Sequence, residues 1–329
     1  GAVADQLTGR GLPLVFRVGA SGTNLGDNSA TFATSELAPR LGTTAADLRL
    51  AIVAANDAYP QSVASAAAAT ARASGVQLVD QQTYNLSYPN WPRVMAELAA
   101  AKPAVVILAS DIADGVAFRQ AMLSSGLKVK ALIGSTMAEC TPDFAGELGA
   151  DAIGIFASDR PTGGFQPGVL DPTARALYDR LATAWASDNP AAAPADSYSG
   201  GSNGAGDGAN AGASVIVGPI GEDSTLAGPT EEALSGFSAA WVLFHDVLPV
   251  AARTALEPAS IALAARGLDL PTGSLPNGAG VRFSEAPGSL GQNLRAAAVI
   301  WQWQAVQQFA YVWPPTYATA PIKFVPLSR

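Results

Sequence analysis

From Leu48 to Asp159 the sequence switches regularly between two hydrophobic periods, a pattern that few folds tolerate. Short apolar, β-branched runs occur at LRLAIVAA, VQLVD, AVVILAS, VKALIG and AIGIFAS, each bounded by turn residues as buried parallel strands are. Helix-like runs lie between them. Pro60–Ala73 is alanine-dense with Pro near its first turn, Trp91–Ala101 sets Val94 and Leu98 four apart, and the next run does the same with Phe118 and Met122. Strand and helix alternating about four times predict an α/β fold built on a doubly wound parallel sheet.

After Arg160 the pattern changes. DPTARALYDRLATAWAS predicts a helix, with Asp171 as N-cap, Pro172 at the first position and Leu177, Leu181 and Trp185 four apart. Residues 188–229 are rich in Gly, Ala, Ser and Pro and are expected to form a flexible loop. Leu234, Phe237, Trp241, Phe244 and Leu248 predict a second long helix with one apolar stripe, beside which His245 is expected to be partly buried. GVRFS, AAAVIWQWQ and PIKFVPL are predicted strands, with the Trp301 and Trp303 indoles on one face for packing.

Composition narrows the function classes. A 329-residue chain that is 49% hydrophobic can build a large core, and no run reaches the roughly 18 uninterrupted apolar residues of a membrane helix. A net charge of -8 lacks the positive footprint that nucleic acid requires, so nucleic acid is not an expected partner. The single cysteine, Cys140, excludes an intramolecular disulfide or a multi-cysteine metal site and is read as a structural thiol. With one histidine, any histidine-based catalysis must pass through His245.

No cofactor is expected. The turn after Ala55 reads NDAYPQS, with an acid and a ring where a phosphate would need close backbone approach, and neither nucleotide glycine motif occurs. GGSNGAGDGANAG is a single imperfect copy of a calcium-repeat pattern and predicts no site. There is no G-x-S-x-G elbow, and Ser21 and Ser135 lack a histidine partner in any recognisable motif. Asp57, Asp111 and Glu139 could converge for carboxylate catalysis, but nothing in their spacing demands it and solvated turn acids are the ordinary explanation.

Ligands of open α/β sheets sit beyond the carboxyl ends of the strands. Those ends are Asn56, Asp57 and Tyr59 after the first strand, Ser110 and Asp111 after the third, and Ser135 and Thr136 after the fourth. Hydroxyls, an acid and a ring suit a small polar organic molecule.

The order GRGLPLVFRVGAS, LRLAIVAANDAYPQS, PAVVILAS, RQAMLSSGLK, IGS, LPNGAGVRFS and AVIWQWQ resembles the type I periplasmic binding proteins, in particular the leucine/isoleucine/valine-binding branch that feeds ABC importers. The resemblance spans most of the chain except about residues 188–229 and rests on order and spacing. It implies two α/β lobes joined by three crossovers, with the ligand buried between them. Residues 1–45 would end the first lobe and enter the crossover, 46–159 form a nearly complete second lobe, 160–290 return to a first lobe whose opening strands this sequence does not contain, and 291–329 rejoin the second. Tyr59 would be the second-lobe aromatic contact. Thr136 falls where amino-acid-binding members often carry an acid, leaving Asp111 or Glu139 to meet a ligand ammonium.

The implied function is extracytoplasmic, in the periplasm or as a surface lipoprotein. It is non-enzymatic capture of a small polar metabolite for ABC permease and ATPase subunits, with the membrane reached only through an anchor outside this segment. A ligand-sensing receptor of the same fold and a carboxylate-dependent enzyme are the alternatives.

Overall fold

The computed structural model describes residues 3–135, 142–188 and 228–327. Seven strands form one sheet in the order β2-β1-β3-β4-β5-β6-β7. They are β1 (Arg49–Ala55), β2 (Gln77–Tyr84), β3 (Val105–Ala109), β4 (Ala131–Ser135), β5 (Phe156–Asp159), β6 (Val299–Ala305) and β7 (Gln308–Trp313). The first five pair in parallel, whereas β6 and β7 extend the sheet antiparallel. β3 and β4 are buried along their whole length, which explains their unbroken apolar sequences. β2, QLVDQQTY, is an edge strand and keeps polar residues in partly open positions.

Helices α1 (Gly22–Phe32) and α2 (Ala58–Ala73) cover one face of the sheet. The other face carries α3 (Trp91–Ala101), α4 (Ile112–Ser125) and α5 (Pro142–Leu148), with Val94, Leu98, Phe118, Met122 and Phe144 in one core alongside Trp301 and Trp303. The alanines of α2 serve close packing. A Cβ on Gly26 of α1 would lie 2.2 Å from the Val63 carbonyl oxygen, so these two helices approach at backbone distance. Helix α1, GTNLGDNSATF, buries Leu25, Ala30 and Phe32 in the core it shares with α2 and adds polar anchors to it. Asn28 Nδ2 donates to Ser158 Oγ at 2.9 Å and to the Val299 carbonyl at 3.1 Å.

Tyr178 and Leu181 of α6 (Pro172–Asp188) pack against the sheet core that holds Trp301 and Trp303, and a second unit contains α7 (Glu231–Trp241) and α8 (Pro258–Arg266). Val242, Val247, Ala264, Leu275, Val281 and Phe283 form its own core, joined by Phe16 and Val18. Glu231–Ala251 is long and apolar enough, by length and composition alone, to cross a membrane. Leu234, Val242 and Val247 in it are nevertheless packed inside the protein. Its turns widen to π-helical geometry over Val242–Val247, which rotates the predicted stripe so that Phe244 is 68% exposed. The histidine is likewise exposed, and His245 stacks on Trp241 at 4.4 Å and bonds the Asp246 carboxylate at 2.8 Å.

Two predicted strands do not form. GVRFS makes only isolated bridges from Val281 to Leu270 and from Phe283 to Asn293. PIKFVPL has no ladder because Pro321 and Pro326 lack the donors a ladder needs, and buried glutamine side chains of β6 hold the segment instead. Lys323 N donates to Gln302 Oε1 at 2.8 Å, and Gln304 Nε2 donates to the Pro321 carbonyl at 2.8 Å. The strand that completes the edge is β7, QFAYVW. The segment predicted as a flexible loop lies outside the described residues apart from its ends at 188 and 228–229, and its calcium-repeat-like tract and Cys140 lie wholly outside them.

Two of the chain segments between the sheet and the second core run side by side. Arg17 N donates to the Gly291 carbonyl at 2.8 Å and Asn293 N donates to the Arg17 carbonyl at 3.0 Å. Asn293 Nδ2 also donates to the Val18 and Gly280 carbonyls, both at 2.8 Å. Gly291 has φ +79°, and a Cβ there would lie 2.0 Å from the Val15 carbonyl oxygen, so the approach requires glycine. Arg160, just after β5, packs its side chain against Gly19.

Candidate functional site

β1 pairs with β2 on one side and β3 on the other, and the connections through α2 and α3 run over opposite faces. The carboxyl ends of β1 and β3 therefore flank the topological switch point, where the fold leaves a crevice. Asn56, Asp57, Ser110 and Asp111 stand there together.

All but Asp111 have local contacts that fix their positions. Asn56 Oδ1 accepts from Leu86 N at 2.9 Å, tying the end of β1 to the chain after β2. Asp57 is the N-cap of α2 and accepts from Tyr59 N at 3.0 Å through Oδ2. Tyr59 is half-buried against the α1–α2 core. Ser110 is fully buried and approaches both the Asp111 carbonyl and the Tyr84 hydroxyl.

Asp111 stands apart. It occupies the N-cap position of α4 without a side-chain cap bond, so its carboxylate is not consumed by the helix. Its pKa is raised, first by burial and then by the neighbouring charges of Asp114 and Asp57. Asp114 accepts from the Tyr84 hydroxyl at 2.7 Å, and its pKa is raised by burial, with that hydrogen bond opposing the shift. Burial, followed by Asp114, pushes the Tyr84 phenol well above its ordinary value. Among the described residues no cation pairs with Asp57, Asp111 or Asp114. Three carboxylates at one rim without a counter-ion favour an incoming cationic group.

Ser135 is placed differently from its rim neighbours. Its side chain is buried beneath α1, accepting from the Ser29 hydroxyl at 2.8 Å and donating to the Leu25 carbonyl at 3.3 Å. Thr136 and Glu139 lie outside the described residues.

Sequence reasoning missed a second charged group. Arg160 is buried, its Nη2 pairs with the Glu231 carboxylate and its Nε lies 3.5 Å from Asp159 Oδ1. Burial alone would lower its pKa, but Asp159 and then Glu231 outweigh that and raise it. Glu231 is raised well above the usual carboxylate range, chiefly by burial and then by Asp159, with Arg160 opposing. Tyr59 is close enough to add to the field on the guanidinium, which links the rim to the connecting segments. The available signal was a charged pair, Asp159–Arg160, directly following an apolar strand.

Residues 1–207 match the sequence family described as periplasmic binding protein. The Leu/Ile/Val-binding protein homolog 8 of Brucella abortus is 26% identical over 325 residues, covering 98% of this chain and 69% of that protein. Among solved structures, an ABC transporter substrate-binding protein from Desulfitobacterium hafniense in complex with Leu aligns with a TM-score of 0.58 at 19% identity, covering 93% of this chain and 69% of that one. A solute-binding protein from R. palustris in complex with benzoate aligns with a TM-score of 0.60 at 12% identity, covering 99% of this chain and 72% of that one. At these identities the structural likeness concerns the fold.

Proposed function

Because the chain belongs to the periplasmic binding protein family, we propose that it is the extracytoplasmic solute-binding component of an ABC importer, holding a small amine-bearing metabolite such as an amino acid or its amide without converting it. The observation that carries this reading is the Asp111 carboxylate, half-buried, unspent by its helix and flanked by Asp57 and Asp114. An ammonium group placed there relieves the repulsion among the three acids. The names of the relatives, one a Leu/Ile/Val-binding homolog and one solved with Leu, support the amino acid class.

In this reading Asn56 and Ser110 frame the pocket floor, Asp57 and Asp111 meet the cation, and Tyr59 lies against the ligand body. Ser135 supports the floor from beneath, tied to Ser29 and Leu25. Residues 46–159 with 291–329 form one lobe, and 160–290 belong to the other. A ligand touching both lobes stabilises the closed state, and closure is the signal that permease and ATPase subunits receive.

Calorimetry of the chain against the proteinogenic amino acids and their amides tests the reading. Binding of at least one, weakened about tenfold or more in Asp111→Asn, is the expected result, since a hydrogen bond to a charged group contributes about 1.5–3 kcal/mol. Equal affinity in wild type and Asp111→Asn would remove the rim as the site.

A further inference from the structure

On the face of the sheet covered by α3 and α4, an open cavity of ≈ 810 Å³ runs between the two helices. Its walls come from Trp91, Met95, Ala99 and Leu127, and Lys102 and Lys128 stand in its lining. We propose that this groove is a second ligand site, for an amphiphilic monocarboxylate with an extended hydrocarbon body.

Size and chemistry agree. Small-molecule sites enclose roughly 300–1,000 Å³, with apolar and aromatic walls and a few placed polar groups. The small side chains of α3, Ala96 and Ala99, leave the groove open. The Trp91 ring is held rigid by Tyr84, with ring centroids 4.8 Å apart, and by Phe118 at 5.8 Å. Lys102 follows the last residue of α3, so the groove extends along a helix about 16 Å long at 1.5 Å per residue, from the indole to the ammonium. Lys128 follows α4, which runs in the same direction as α3, so both cations lie at the same end.

Charge selects the headgroup. The chain carries a net charge of -8, yet the groove lining contains two lysines and no acid. The nearest carboxylate along α3, Glu97, is already paired with Arg93 at 2.7 Å and is absent from the lining. Among the described residues neither Lys102 nor Lys128 has an ion-pair partner. The helix carbonyl ends beside them are a weak counterweight, a few tenths of a kcal/mol at exposed positions. The Lys102 backbone is pinned in the left-handed region at φ +49°, and its carbonyl accepts from Arg49 Nε at 3.0 Å. That end of the groove is therefore held in place by the sheet.

The groove is separate from the rim. Lys102 precedes β3 and Lys128 precedes β4, at the amino ends of the strands, whereas Asp57 and Asp111 follow the carboxyl ends. The two sites also carry opposite charge, so they select opposite ligands.

Calorimetry on the 329-residue chain with octanoate, octylamine and octanol, all below their aggregation concentrations, tests the proposal. Octanoate should bind, octylamine should bind at least tenfold more weakly, and Lys102→Asn with Lys128→Gln should weaken octanoate about tenfold while leaving octanol unchanged. Asn is chosen at 102 because it tolerates a positive φ. Ala99→Trp, which fills the groove, should remove both octanoate and octanol. Asp111→Asn should leave octanoate binding intact, so failure at the rim and failure at the groove are read separately. Equal affinity for octanoate and octylamine, or octanoate binding unaffected by the lysine or Ala99 variants, would overturn the proposal.

Discussion

The molecule holds two clusters of acidic residues that meet burial in opposite ways. At Asp159, Arg160 and Glu231 a guanidinium stands between two buried carboxylates. At Asp57, Asp111 and Asp114 no cation is present among the described residues, and Asp111 and Asp114 are partly buried while Asp57 is exposed. The first arrangement is internally compensated and holds together the segments that join the units. The second is left with repulsion that a proton or an added cation relieves. A satisfied cluster contributes to the framework, and an unsatisfied one at a crevice is suited to capture.

The comparison is broken most severely at Arg160. Arg160→Ala leaves Asp159 and Glu231 buried without their cation and should cost about 3–5 kcal/mol, read from urea unfolding. If the loss were below about 1 kcal/mol, the cluster would have no clamping role. At the rim the sign reverses. Asp111→Asn should weaken an amine-bearing ligand by about 1.5–3 kcal/mol in calorimetry.

The same variant should leave the unliganded chain more stable at neutral pH. The folded-state pKa of Asp111 is raised, so its contribution to stability is full below the unfolded value and is lost as pH rises through the folded value. Tm of Asp111→Asn should therefore exceed wild type by on the order of 1–2 °C near neutrality and converge with it in acid. Ligand affinity should run the other way, falling as acidification neutralises Asp111.

Smaller effects sharpen the contrast. Glu231→Gln keeps an acceptor for Arg160 and should cost about 1 kcal/mol, well below Arg160→Ala. Asp57 has both a cap and a charge, which two substitutions separate. Asp57→Ala should lose about 1 kcal/mol of stability with the cap, whereas Asp57→Asn keeps the cap and should lose ligand affinity only.

Legibility in the sequence followed the kind of force at work. β1, β3 and β4 were readable because strands buried on both faces are apolar throughout, and Trp91–Ala101 because one face alone is buried. The rim was readable because a strand end is a place in a pattern. Helix α1 was not, since beside the few apolar residues Leu25, Ala30 and Phe32 its buried face is made of Asn28 and Ser29, bonded to distant residues, and of Gly26 meeting Val63. The pairing of Arg160 with Glu231 joins two charges far apart in the chain, and nothing local to either names its partner. PIKFVPL has the apolar content of a strand, but its prolines leave the hydrogen bonding to Gln302 and Gln304.

The two paired connecting segments have a mechanical consequence. Segments fastened edge to edge, through Arg17 to Gly291 and Asn293 and through Asn293 to Val18, behave as a ribbon more than as a string. A ribbon bends readily about one axis and resists torsion and in-plane shear. Such a ribbon would favour a single rotation between the two units over twisting or shear, and at Gly291 it is thin, with backbone against backbone and no side chain between.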